Sequence, residues 1–223
     1  MKKSKVISSL FWKFSERIGA QGVNLIVSII LARILLPKDY GLIALTTIFI
    51  TISNVFIEKG FETALIQKKD ADDLDFSSVF YCNIIISIIM YMLIFLLAPL
   101  ISDFYNNPEL LMILRVLGVS VLIAGVRNIQ QAYIYRNMLF KKFFVSTLVG
   151  TIVSAFVGIW MAYNGYGVWA LVIQQLTNIS IDTVILWITV KWRPQFKFSF
   201  ERLKSLLKFG WKILCSRFDR CAL

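Results

Sequence analysis

Four stretches of this chain carry polar or charged side chains at helical spacing inside otherwise apolar runs. Arg17, Gln21, Asn24 and Ser28 recur at i, i+4, i+7 and i+11, and Thr47, Thr51, Asn54 and Glu58 repeat that spacing. Arg127, Gln130 and Gln131 follow at i, i+3 and i+4, and Gln175, Asn178 and Asp182 at i, i+3 and i+7. On a helix each set shares a face; the first lies within about 60° of arc. Glu16 and Arg115 add further charge to runs of the same kind. Such groups are costly against lipid, so they belong in a bundle interior or a water-filled path. A guanidinium is a planar fork that matches phosphate and carboxylate, so this lining suits an amphiphilic substrate carrying anionic groups. The bland alternative stays open: amides and hydroxyls inside bundles also serve as interhelical glue, and Lys13 and Arg33 can snorkel to an interface.

The elements that position these residues are long membrane helices. Of 223 residues, 58% are hydrophobic and only 17% charged, against roughly 25% charged in a typical soluble domain. A hydrocarbon core about 30 Å thick needs about 20 helical residues. Six segments meet that need: Leu10–Leu36, Gly41–Ile57, Val79–Ile101, Leu110–Ile134, Phe143–Tyr163 and Val168–Val190. Pro37–Gly41, Asn106-Asn107-Pro108 and Asn164–Gly167 punctuate them as connections. The expectation is an all-α polytopic membrane protein with six transmembrane helices forming one lobe.

Composition also excludes chemistry. The chain has no His, which removes imidazole bases, His-ligated zinc and His-based nucleophile pairs. Cys82, Cys215 and Cys221 have neither even number nor metal-ligand spacing, so no metal and no cofactor is expected. The formal charge of +11 reads as topology rather than nucleic-acid binding. Lys2, Lys3, Lys5, Lys59, Lys68, Lys69, Arg136, Lys141, Lys142 and the bases after the sixth span all fall on one side, while the other has only Lys38 and Arg33. The positive-inside rule puts that basic side, and both termini, in the cytoplasm. No cleavage site follows the basic start, so the first helix reads as retained rather than as a signal peptide.

Smaller signals fit the same picture. Trp12, Tyr40, Tyr105, Tyr163, Trp169 and Trp192 lie near segment ends, as an aromatic belt would. Gly150, Ser154 and Gly158 form a small-residue ridge for close helix packing. The acidic run Asp70, Asp72, Asp73 and Asp75 lacks the pattern of a calcium loop and reads as a solvated cytoplasmic loop. Phe198–Trp211 reads as a basic amphipathic helix on the cytoplasmic leaflet, or as a linker toward a seventh span.

Several ordered motifs resemble the bacterial polysaccharide-transporter (oligosaccharide flippase) family of the multidrug/oligosaccharidyl-lipid/polysaccharide exporter superfamily. These are Ser9–Phe14 through Glu16–Gly22, Ile30–Arg33 with Leu36–Leu42, Gly60–Lys69, Phe140–Lys142, Gly165–Leu171 and Lys191–Pro194. The resemblance covers residues 8–214 and is strongest to the colanic-acid and lipopolysaccharide export branch. It implies flipping of an undecaprenyl-diphosphate-linked oligosaccharide across the bacterial inner membrane by alternating access of two six-helix lobes. Under that resemblance, Arg17, Gln21, Asn24, Asn54, Arg115, Arg127, Gln131 and Asn178 become the cavity lining, with the arginines as diphosphate or acidic-sugar contacts. Glu16, Glu58 and Asp182 become candidates for ion pairing or cation coupling.

Family members run to about twice this length. The chain therefore reads as an N-terminal lobe over 1–195, a basic linker and seventh-helix start over 196–214, and a divergent tail over 215–223. A chain cut short is the expectation, with a second lobe or a homodimer as partner besides lipid and substrate. The rival readings are an inactive half-transporter, a multidrug exporter of the same superfamily, and a membrane polymerase or ligase. The short outward loops disfavour that last reading, and the cationic bias of the spans disfavours cationic drugs. The topology is checked by reporter fusion: alkaline phosphatase joined after Gly165 should be active, and joined after Met138 inactive. The reverse pattern would overturn the orientation.

Overall fold

The computed structural model describes the backbone of residues 3–59, 65–66, 71–195 and 199; the side chains of 3–11, 13, 15–17, 58 and 59 fall outside the description. The amphipathic segment Phe198–Trp211, the tail, and Lys68, Lys69 and Asp70 accordingly lie outside the described residues, Ser199 excepted. Six long helices are described: α1 (Lys3–Ile34), α2 (Pro37–Lys59), α3 (Asp73–Phe104), α4 (Pro108–Asn137), α5 (Phe140–Tyr163) and α6 (Val168–Thr189). There is no strand among the described residues. Helices α2 to α6 are each long and apolar enough to cross a membrane. The apolar part of α1, Ile18–Ile34, is shorter, but the whole helix has 32 residues and at about 1.5 Å per residue exceeds the hydrocarbon thickness. The chain is an all-α membrane protein.

Helix ends differ from the sequence expectation in instructive ways. Pro37-Lys38-Asp39, expected in a connection, forms the first turn of α2. Pro37 needs no partner for a missing N–H there, and the Leu36 N–H donates to Asp39 Oδ2 at 3.1 Å. Asn107 and Pro108 start α4 likewise, the Asn107 side chain accepting from the Glu109 N–H at 3.1 Å. Helix α4 stops at Met138, which takes the left-handed conformation (φ 55). Of the acidic run, the described members are not loop but the start of α3: Asp72 caps it in a capping box with Asp75, Asp72 and Asp73 are exposed, and Asp75 is fully buried.

Helix α4 is central, packing against α2, α3, α5 and α6, while α1 lies along α5. The buried apolar residues divide into two clusters. One gathers Leu31, Leu42, Ile94, Leu114, Leu117 and Val172; the other gathers Phe76, Val79, Ile129, Leu186, Val190 and Trp192. Between them, on α3 to α6, come buried polar residues: Asn83 and Ser87 on α3, Asn128 on α4, Thr151 and Ser154 on α5, Asp182 on α6. These four helices thus carry buried polar residues between the two apolar clusters, and others, such as Gln130 and Ser120, lie buried beside the clusters themselves. Outside, Ile89, Leu96, Leu100, Phe156, Trp160 and Ile188 stand exposed. In water such a surface would be a liability; facing acyl chains it is the expected solvent contact.

Trp192 is a second correction. Expected at an interfacial belt, it is buried, stacked on Tyr133 and tilted against Phe76, with its indole N–H donating to Asp73 at 3.0 Å. Gln130 donates to its carbonyl at 3.3 Å, and the Gln195 and Ser199 N–H groups donate to Ser77 and Ser78 hydroxyls. The chain leaving α6 is thus tied down across the start of α3. At the same end Lys142 Nζ donates to the Thr189 carbonyl at 2.6 Å, satisfying a terminal acceptor of α6.

Close approach needs small residues. A Cβ on Gly125 would lie 2.5 Å from Ser87 Oγ and 3.2 Å from the Asn83 carbonyl oxygen, so α3 and α4 cross there almost backbone to backbone. Nothing lies within 4 Å of such an atom at Gly22. Gly125→Ala should therefore cost about 1–3 kcal/mol of stability, seen as a lowered unfolding midpoint in detergent. Gly22→Ala should be neutral or slightly stabilising. Equal midpoints for the two variants would contradict the crossing.

Candidate functional site

Arg127 on α4 and Asp182 on α6 form an ion pair at 3.2 Å, Nη1 to Oδ2. Their side chains are 22% and 6% exposed. The pair is only partly satisfied: Arg127 Nε and Asp182 Oδ1 are shielded and have no hydrogen-bond partner among the described residues. Breaking such a pair from one side strands a charge in a medium that solvates it poorly.

The pair stands in the wall of a cleft of about 330 Å³. Asn24 of α1, Gln131 of α4, Thr147 and Thr151 of α5, and Gln175 and Asn178 of α6 complete its polar lining. The shape arises from the packing. Helices α1 and α6 both lie along α5, and the polar residues of α5 floor the gap between them. The small-residue ridge on α5 sets how deep that floor is. A Cβ on Gly150 would meet the Asn178 carbonyl oxygen at 3.2 Å and the Asp182 nitrogen at 3.3 Å. One on Gly158 would meet Gln174 Cγ at 2.9 Å.

The sequence stripes converge unevenly. Asn24, Arg127, Gln131, Asn178 and Asp182 meet at this one cleft. Gln21 is exposed beside it, in a groove along α1 with Asn24 and Ser28. Asn54 is half-buried on α2 with Oδ1 unpartnered, and is not among the cleft residues. Arg115 also stands elsewhere: its guanidinium lies 4.1 Å from the centre of the Phe95 ring on α3, a cation–π contact away from the cleft. The side chains of Glu16, Arg17 and Glu58 lie outside the described residues.

Thr147 and Thr151 were not anticipated, because the fifth span is free of charge and its Gly150 ridge draws attention to packing alone. Their i, i+4 spacing was the available signal. Thr151 donates to the Thr147 carbonyl at 2.7 Å, whereas Thr147 Oγ1 is shielded and has no partner among the described residues. Most other hydroxyls also bond back along their own helix, as Thr46 does to Leu42 and Thr183 to Ile179. They are self-satisfied rather than glue between helices. Gln131 also bonds within its own helix, donating to the Tyr135 hydroxyl of α4 at 3.0 Å. No group of three or more potential metal ligands occurs among the described residues.

A double-mutant cycle measures the pair. Asp182→Asn alone should cost about 2–3 kcal/mol, the low side for a buried pair because Arg127 reaches the cleft. Adding Arg127→Met should recover most of that loss. Additive losses in thermal unfolding would mean the two side chains are not coupled.

Comparison with known proteins adds lineage to this geometry. Residues 30–221 match a family described as polysaccharide biosynthesis protein. The succinoglycan biosynthesis transport protein ExoT of Rhizobium meliloti is 23% identical over 211 residues, covering 95% of this chain and 43% of that protein. The lipopolysaccharide biosynthesis protein WzxC of Escherichia coli is 23% identical, covering 93% of this chain and 43% of its own length. The teichuronic acid biosynthesis protein TuaB of Bacillus subtilis is 26% identical, covering 74% and 35%. The chain thus spans about two fifths of the length of these relatives. No solved structure matches it.

Proposed function

Because the chain belongs to the polysaccharide biosynthesis protein family, we propose that it supplies one lobe of a flippase for lipid-linked oligosaccharides. The cargo is an undecaprenyl-diphosphate-linked repeat unit, carried from the cytoplasmic to the outer face of the bacterial inner membrane. The observation that carries this reading is the half-satisfied Arg127–Asp182 pair, set in the wall of a polar cleft.

The energetics divide the cargo in two. Withdrawing a polyprenyl tail from lipid would cost about 0.8 kcal/mol per CH₂, so the tail stays in the bilayer. The charged headgroup cannot cross hydrocarbon unaided and needs a polar path. Arg127 offers the diphosphate a planar set of donors, and Asp182 holds that guanidinium in place until an anion competes for it. Asn24, Gln131 and Asn178 extend the path, with Gln21 beside it on α1; Arg17 shares the helical stripe of Gln21 and Asn24 in the sequence. Asp182, Glu16 and Glu58 are the carboxylates available for ion coupling. Translocation itself needs a second lobe, from further chain or a second copy, since alternating access works between two bodies. In this reading the basic loops face the cytoplasm.

Export in a full-length transporter context is the test. Arg127→Ala should lower surface polysaccharide at least tenfold while membrane insertion stays normal, and Arg127→Lys should fall between, keeping charge but losing the fork. Unchanged export with normal expression would remove Arg127 from the path.

A further inference from the structure

The cleft at Arg127 does not end at Asn178. A second hollow of about 250 Å³ continues it, sharing Asn24, Gln175 and Asn178 and adding Ser28, Tyr40 and Gln174. Both bordering helices keep the order. On α6 the lining runs from Asp182 through Asn178 and Gln175 to Gln174, and on α1 from Ala20 through Asn24 to Ser28. The charged residues, Arg127 and Asp182, line only the first hollow; the second has amides, hydroxyls and apolar walls.

The geometry points to a sugar-binding subsite in this second hollow, adjoining a phosphate-binding end at Arg127. The inference rests on the flippase reading and divides its site. Sugar hydroxyls donate and accept at once, and so do carboxamides and the tyrosine hydroxyl, whereas a phosphate has nothing to donate. Tyr40 Oη is shielded and has no hydrogen-bond partner among the described residues, an arrangement that costs free energy unless a ligand completes it. Its position is built rather than incidental. Tyr40 sits in the first turn of α2, fixed by Pro37 and by the Asp39 bond to the Leu36 N–H. Gln174 lies against Gly158, where any side chain would displace it. The groove therefore matches a headgroup whose charge lies at one end and whose neutral hydroxyls lie at the other.

The test uses the whole chain in nanodiscs with two probes, geranylgeranyl diphosphate and the same lipid diphosphate bearing a disaccharide. The wild type should bind the disaccharide probe more tightly. Tyr40→Phe, which keeps the ring and its packing, and Gln174→Leu should each weaken that probe about three- to tenfold while leaving the bare diphosphate unchanged. Arg127→Ala should weaken both. The subsite is overturned if the two probes bind alike, if neither binds, or if both probes respond equally to Tyr40→Phe and Gln174→Leu. If those variants stay selective while Arg127→Ala does nothing, the sugar subsite stands and the phosphate role of Arg127 fails.

Discussion

A bilayer has no water to satisfy a polar group, and that single constraint organises this molecule. Every charge or amide on a spanning helix must find a partner in the bundle or a wet cleft to face. Arg127 and Asp182 meet the constraint together, tying α4 to α6 between the two apolar clusters. Buried polar residues of α3 and α5 fall in the same interval. Apolar packing in the two clusters holds the bundle, and the interval between them is where polar binding chemistry can be accommodated.

Small residues make that arrangement possible. Gly125 lets α3 and α4 cross in near contact, and Gly150 and Gly158 bring α5 against the backbone and side chains of α6. Lipid offers no hydrophobic drive between helices, so close van der Waals contact has to supply association. The same glycines seat Asn178, Asp182 and Gln174 of α6 close against α5, where they wall the groove. Packing and site are therefore one design rather than a scaffold with a site added. At the basic end, Trp192, Gln130 and the α3 hydroxyls bind the departing chain to the bundle, so the segment leaving α6 starts from a fixed point.

Much of this was legible along the chain, because the signals involved are local. Hydrocarbon thickness dictates the length of an apolar run, so the helices were readable to within a turn or so at most ends. Helical periodicity put Asn178 and Asp182 on one face of α6 before any packing was known. The ends were harder, since Pro37 and Asp72 look like loop residues until their capping bonds are seen. Trp192 and Arg115 sit near places where an interfacial or cavity role would fit, yet each is claimed by a partner on another helix: Asp73 and Tyr133 for one, Phe95 for the other.

The sequence by itself determined the solvent of the surface, the length of the helices and which face of each is polar, since these are set by transfer free energy and the 3.6-residue repeat. Only the tertiary structure decided which stripes meet. A helix face has a direction along the chain but no neighbour. Its neighbour is set by the packing of the whole bundle, which the close approaches at Gly125, Gly150 and Gly158 fix for α3 with α4 and α5 with α6. That choice joins Arg127 to Asp182, turns Arg115 toward Phe95, and brings Tyr40, Gln174 and Asn24 to one groove.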